Sequence, residues 1–136
     1  MAPQFTGLHF WVRDMAAAVA FYRAIGLATD DSTEEELVRF RLPNGVELAL
    51  GTYELTDRYD PAFVRPAPGS MSNLALQFHL ESRAAVDELA GRLGAAGYTV
   101  HLRPFDAFWR SRYCEVVDPD GNIVGFHGAD ASEGGS

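Results

Sequence analysis

Four histidines, one cysteine, eleven arginines and no lysine set the range of chemistry open to this 136-residue chain. Without a Lys amine there is no Schiff base and no Walker-type phosphate loop. No Gly-x-Ser-x-Gly elbow frames a serine nucleophile. Cys114 lies in a strand-like stretch, where a thiol is more often buried than reactive. Glu47 is left as a lone candidate general base, because burial would raise its carboxyl pKa. The densest set of side chains able to hold a ligand is Phe105, Phe108, Trp109, Arg110, Arg112 and Tyr113. Aromatic faces and guanidinium groups can stack on a planar or anionic molecule. The alternative for this cluster is a dimer contact, with the arginines paired to acidic residues. Tyr59, Phe63 and Arg65 form a smaller set of the same kind. Glu34-Glu35-Glu36 reads as a solvated edge, and His101 carries no functional argument.

Composition narrows the partners. Eleven basic residues stand against nineteen acidic ones, a formal charge of −8. Nucleic acid and anionic membranes are held largely by clustered Lys and Arg, so neither is an expected partner. The chain has the size of one domain, with 47% hydrophobic residues, and can build a core without disulfides. A single cysteine fits a reducing compartment. No apolar run approaches the ~20 residues that span a bilayer, and no signal-peptide pattern opens the chain. A cytoplasmic location is expected.

The elements repeat in order. Phe5–Val12 is aromatic and β-branched and predicts a strand. Asp14 then caps a helix over Met15–Ile25, closed by Gly26. Strands are predicted over Glu34–Leu42 and Val46–Leu50, joined at Asn44-Gly45, where both residues tolerate positive φ. Residues 52–70, with three prolines, read as a connector. A second round follows: a strand over Asn73–Leu80, Ser82 as cap, a helix over Ala84–Ala96, and a strand over Tyr98–Leu102. A hairpin of Arg112–Val117 and Asn122–Phe126 turns through Asp118-Pro119-Asp120-Gly121. Gly7 answers Asn73, Gly26 answers Gly97, and Gly45 answers Gly121. One half alone cannot bury both its helix and its sheet face. The pair therefore predicts an α+β fold, a mixed sheet with helices outside and a concave inner face. Within a single domain of 136 residues, module one covers about 4–51, the connector 52–70 and module two about 71–128. The tail, 129–136, is expected to be disordered.

Three stretches in this order, GLHFWVRDMAAAVAFYRAIGL, WRSRYCEVV and the closing DPDGN turn, resemble the vicinal oxygen chelate superfamily. That superfamily holds glyoxalase I, bleomycin-resistance proteins, fosfomycin-resistance enzymes and extradiol dioxygenases. The resemblance spans about residues 4–128. It implies two βαβββ modules curving around a cleft, and a homodimer. Whether modules pair within a chain or by swapping between chains stays open. It fixes no reaction, since one fold hosts many.

The resemblance also implies a divalent metal held by His and Glu, which would polarise substrate oxygens. The four ligand positions it implies fall on Gly7, on Glu47 (or Ala49, if the turn glycines are aligned), on Asn73 and on Gly125. Glycine has no donor atom and a neutral Asn amide is a weak ligand, so no metal or other cofactor is expected. The alternative is a divalent metal on a displaced set, His9, Glu47, His79 and His127, which keeps the strand parity of the missing ligands. A two-residue step moves a side chain by about 6.6 Å, whereas ligands must converge to ~2.0–2.2 Å from one ion.

Parity puts Gly7, His9 and Trp11 on one strand face, which the resemblance turns toward the cleft. Asn73, Ala75, Gln77 and His79 line the matching face. Such a lining suits an amphipathic molecule held by stacking and a few hydrogen bonds. The expected ligand-binding residues are His9, Trp11, Glu47, Asn73, Gln77, Trp109 and Arg112, the last two closing over the mouth. The expected function is metal-free binding of a small molecule, an antibiotic or toxic metabolite, as the bleomycin-resistance type implies. Two alternatives stay open: a metal-dependent lyase, isomerase or dioxygenase using the displaced set, with Glu47 as its catalytic residue, and an assembly domain without a ligand.

Overall fold

The structure, a computed structural model, describes residues 1–131. The chain divides into two compact units, Met1–Pro68 and Gly69 onward. Each is α+β. The first holds β1 (Gly7–Val12), α1 (Met15–Ala24), β2 (Leu37–Arg41), β3 (Glu47–Thr52) and α2 (Tyr53–Tyr59). The second holds β4 (Ala75–Leu80), α3 (Arg83–Ala95), β5 (Thr99–Asp106), β6 (Arg112–Val117) and β7 (Ile123–Gly128).

Local chemistry explains most boundaries. The Asp14 carboxylate accepts the Ala17 N–H at 3.1 Å and starts α1; the Ser82 hydroxyl accepts the Ala85 N–H at 3.1 Å and starts α3. Both hairpins close through a three-residue loop, with Leu42 N–H donating to Val46 O and Asp118 N–H to Asn122 O, both at 2.9 Å. Only the glycine of each loop takes a positive φ, 87° at Gly45 and 88° at Gly121. The Asn44-Gly45 turn expected to use two positive φ values is thus the longer loop form, with one.

In the first unit the sheet order is β1-β3-β2, with β1 parallel to β3. Phe10, Val12, Val38, Phe40, Leu48 and Leu50 fill one sheet face, and Val19, Phe21 and Tyr22 of α1 are fully buried. In the second unit the order is β4-β7-β6-β5, with β4 parallel to β7. There Cys114, Val116, Val124 and Phe126 are buried with Val86, Leu89 and Leu93 of α3. Each unit leaves its other sheet face open to carry chemistry.

Three expectations change. The first unit has three strands, so the four-stranded βαβββ module is complete only in the second. The segment before β2 supplies side chains in place of a strand: Asp31 accepts the Arg39 N–H at 2.9 Å, and the Thr29 hydroxyl donates to Arg39 O at 2.6 Å. The connector contains α2, whose first turn is capped by the Thr52 hydroxyl accepting the Leu55 N–H at 3.2 Å. In the expected tail, Ala129 is 7% exposed and the Asp130 carboxylate accepts the Arg83 N–H; residues 132–136 lie outside the described residues.

Candidate functional site

On the open face of the first unit, β1 contributes Gly7, His9 and Trp11, β3 contributes Glu47, Ala49 and Gly51, and β2 contributes Leu37, Arg39 and Arg41. The register pairs Gly7 with Glu47, His9 with Ala49 and Trp11 with Gly51. The expected grouping of Gly7, His9 and Trp11 on one face is therefore met. His9 stacks on Trp11 with centroids 4.8 Å apart and planes 9° apart, and Phe63 stacks on Trp11 at 5.3 Å. The chain itself thus supplies the stacking partners that a ligand was expected to provide. The imidazole lies across Gly51, where an added Cβ would meet His9 Nε2 at 2.6 Å. Burial, and secondarily the Arg39 charge, holds His9 below the usual imidazole pKa. Glu47 is already engaged: Arg39 Nε sits 3.1 Å from Oε1 and Arg41 Nε 3.6 Å from Oε2. A cavity of about 400 Å³ is lined by His9, Leu37, Arg39, Glu47 and Ala49 among others; Trp11 is not part of its lining.

The open face of the second unit is built differently. Gln77 on β4 and Glu115 on β6 flank Gly125 on β7, and Tyr113 and His79 flank His127. Gln77 Nε2 donates to the Tyr113 hydroxyl at 2.9 Å, and that hydroxyl donates to Glu115 Oε2 at 2.7 Å. An added Cβ on Gly125 would meet Tyr113 Oη at 2.5 Å and Gln77 Nε2 at 2.7 Å. The space above the glycine is where the network runs. Burial is the main cause that pushes the Tyr113 phenol up to about 12, so it stays a neutral donor. Phe105, Trp109 and Tyr113 meet edge to face, with centroids 5.2 to 6.3 Å apart. Together with Leu102, Gln77, Glu115 and His127 they line a second cavity of about 400 Å³.

Trp109 reaches this cavity from a turn fixed by Ala107 N–H donating to Ser111 O, with Arg110 at φ 68°. Two expected ligand contacts fall elsewhere. Arg112 alternates with Tyr113, so it points to the helix side, where its guanidinium donates to Asp87 at 2.9 Å and to Asp106 at 3.3 Å. Asn73 lies two residues before β4 and is exposed; the residue at the start of β4, corresponding to Gly7 at the start of β1, is Ala75. Glu115 was missed. Its signal was the alternation of β6, which puts it on the face of Tyr113.

The residues at the implied metal positions do not fit a divalent ion. Position 7 has no room for a donor, since a Cβ there would lie 2.0 Å from Glu47 O. Glu47 is paired with two arginines, and the Gly125 position is filled by the Gln77–Tyr113 pair. The displaced set is not assembled either. His79 and His127 come within 5.3 Å between centroids, and His127 Nδ1 is buried without a hydrogen-bond partner. Yet among the described residues no three His, Cys, Asp or Glu side chains converge. Nor, among them, is any helix long and apolar enough to cross a membrane.

Comparison with known proteins agrees with this architecture. Residues 4–126 match the Glyoxalase/Bleomycin resistance protein/Dioxygenase superfamily. An uncharacterized protein of Pseudomonas aeruginosa, PA2024, is 33% identical over 133 residues, covering 93% of this chain and 89% of that protein. The crystal structure of a glyoxalase/bleomycin resistance protein/dioxygenase from Nocardioides is similar at a TM-score of 0.76 and 23% identity, over 100% of this chain and 90% of that one. A lactoylglutathione lyase from Agrobacterium tumefaciens is similar at a TM-score of 0.69 and 25% identity, over 93% and 94%.

Proposed function

The chain belongs to the Glyoxalase/Bleomycin resistance protein/Dioxygenase superfamily, and we propose that within it this protein binds a small amphipathic organic molecule without a divalent metal. The ligand enters the aromatic cavity of the second unit. The Gln77–Tyr113–Glu115 hydrogen-bond chain, running through the space above Gly125, carries this reading. It fills the space over Gly125 with a phenol and an amide, two neutral groups, where metal chemistry would need a charged ligand. Beside it Phe105 and Trp109, each 39% exposed, offer unspent aromatic surface. Concave apolar walls with a few convergent polar groups are the usual make-up of a small-molecule site.

A metal-dependent lyase, isomerase or dioxygenase with Glu47 as base is less well supported, because that carboxylate is already paired with Arg39 and Arg41. A homodimer and a reducing, cytoplasmic setting belong to the same proposal. Among the described residues the edge strands β1, β4 and β5 each pair with a strand on one side only, and closed dimers commonly shelter such edges. The single thiol, Cys114, is buried, and burial pushes it up to about 11. Light scattering at micromolar concentration should give twice 14.9 kDa; a monomer mass would remove the dimer from the proposal.

The test is an NMR fragment screen with and without a chelator. Fragments that bind should shift the Trp109 indole and Gln77 amide signals, with affinity unchanged by chelator and reduced at least tenfold in Trp109→Ala. Binding abolished by chelator, or shifts confined to Trp11, would overturn it.

A further inference from the structure

The charge around the second unit's cavity is lopsided. Among the described residues Glu115 is the one acidic residue in its lining, and no arginine lines it. Arg103, Arg110 and Arg112 each neighbour a lining residue in sequence without joining the lining, and Arg112 is turned to the helix side and held by Asp87 and Asp106. The Glu115 carboxylate is fixed through Oε2 by the Tyr113 hydroxyl, while Oε1 accepts no hydrogen bond from the described residues. Around it, Phe105, Trp109 and Tyr113 meet at interplanar angles of 73° to 87°. Three mutually perpendicular rings present faces and edges in different directions into one space. An aromatic face is electron-rich and attracts a cation within about 6 Å of its centroid. A carboxylate with an uncommitted oxygen beside such faces adds a full opposite charge. The chain's net charge of −8 favours the approach of cations over anions.

We infer that the ligand of this cavity is an organic cation, an ammonium or similar head group attached to an apolar or aromatic body, held by the Phe105–Trp109–Tyr113 rings and the free oxygen of Glu115. This deepens the proposal that the cavity takes a small molecule and rests on it. Gln77 and Tyr113 orient the carboxylate. Gly125 contributes by lacking a side chain, which leaves the Tyr113 hydroxyl where it can reach both Gln77 and Glu115.

The test uses three probes of similar size on the full chain at about 0.15 M salt, where charges more than ~8 Å apart are largely screened and contacts within the cavity persist. They are benzyltrimethylammonium, benzyl alcohol and phenylmethanesulfonate. Trp109 is followed through its indole N–H resonance, distinguished from Trp11 by its loss in Trp109→Phe. Benzyltrimethylammonium should bind at least tenfold more tightly than either other probe. Glu115→Gln keeps an acceptor for Tyr113 but removes the charge, and should weaken the cation about tenfold while leaving benzyl alcohol unchanged. Because the probe ranking is read on the unaltered protein, it stands even if that variant unfolds. Equal or tighter binding of benzyl alcohol or the sulfonate at Trp109 would overturn the cation assignment and leave the small-molecule proposal intact. No response of Trp109 to any of the three would overturn both.

Discussion

Gly7 on β1 and Gly125 on β7 each leave an open sheet face bare, but an added Cβ would meet different things. At Gly7 it would strike the Glu47 carbonyl, which is backbone of the neighbouring strand; at Gly125 it would strike the ends of the Tyr113 and Gln77 side chains. The contrast extends across both faces. In the first unit Ala49 is flanked by His9 and Arg39, and in the second Gly125 is flanked by Gln77 and Glu115. The same lattice point beside the central strand thus carries a guanidinium in one unit and a carboxylate in the other. Caps, hairpins and the helix-facing core repeat because each must satisfy the same backbone and packing demands. The open faces carry no such demand, and their chemistry has diverged. The first face is closed in on itself by the His9–Trp11–Phe63 stack and the Arg39–Glu47–Arg41 cluster, while the second keeps aromatic surface and a carboxylate oxygen unspent.

The largest effects should separate the two glycines. Gly7→Ala forces β1 and β3 apart and should cost about 3 kcal/mol or more, at the high end for overpacking. Gly125→Ala displaces flexible side chains and costs about 1–2 kcal/mol through the disturbed hydrogen bonds, while weakening ligand binding. Denaturant midpoints of the two variants measure this, and equal losses would erase the distinction.

The two tryptophans sharpen the same contrast. Trp11 is packed by His9 and Phe63, so Trp11→Ala should lower stability by about 3 kcal/mol and shift affinity little in the fraction that folds. Trp109→Ala removes a ring that is 39% exposed and should cost about 1 kcal/mol of stability, with most of the binding lost. Calorimetry and denaturant unfolding on both variants give the two readings; loss of binding in a stably folded Trp11 variant would reverse the assignment of the faces.

Acid should act more gently, and on both units. His9 and His127 are held below the ordinary imidazole pKa of 6.5, by burial first and then by Arg39 and His79 respectively. When the folded pKa is the lower one, the unfolded chain takes up the proton first. The stability contributed by the neutral rings is complete above about pH 6.5 and is lost as pH falls through that value toward the folded pKa. The denaturant midpoint should therefore drop between about pH 7.5 and pH 5, and His127→Gln should shrink the drop. A flat profile would contradict the lowered pKa of both rings.

What the sequence made legible follows the same division. Asp14, Ser82 and the two hairpin glycines act through contacts a few residues away, so caps and turns could be read, and Arg112–Val117 was bounded correctly. Strand parity grouped Gly7, His9 and Trp11. The same rule, applied to β6, separates Arg112 from Tyr113 and joins Glu115 to it. Grouping Arg112 with Trp109 by their nearness in the aromatic–Arg cluster, and not by strand parity, hides this. Pro104 concealed the length of β5, which reaches Asp106 because it is an edge strand with a register shift between Leu102 and Phe105. That extension is what brings Phe105 to the cavity. Helix α2 was hidden by its seven-residue length, although Thr52 before it and Pro61 beyond it are start and stop signals. Whether a glycine is excluded by backbone or by side chains depends on a neighbouring strand and has no local signal at all.

The metal content of the protein tests binding without a metal most directly. Protein purified without chelators is analysed for elements, then titrated calorimetrically with Zn²⁺, Ni²⁺ and Mn²⁺. The expected result is well under one ion per chain and no saturable one-to-one heat, because position 7 admits no donor, Glu47 is paired with two arginines and Gly125 is covered by Tyr113 and Gln77. One ion per chain that survives dialysis, and is lost in Glu47→Ala or His127→Ala, would contradict it.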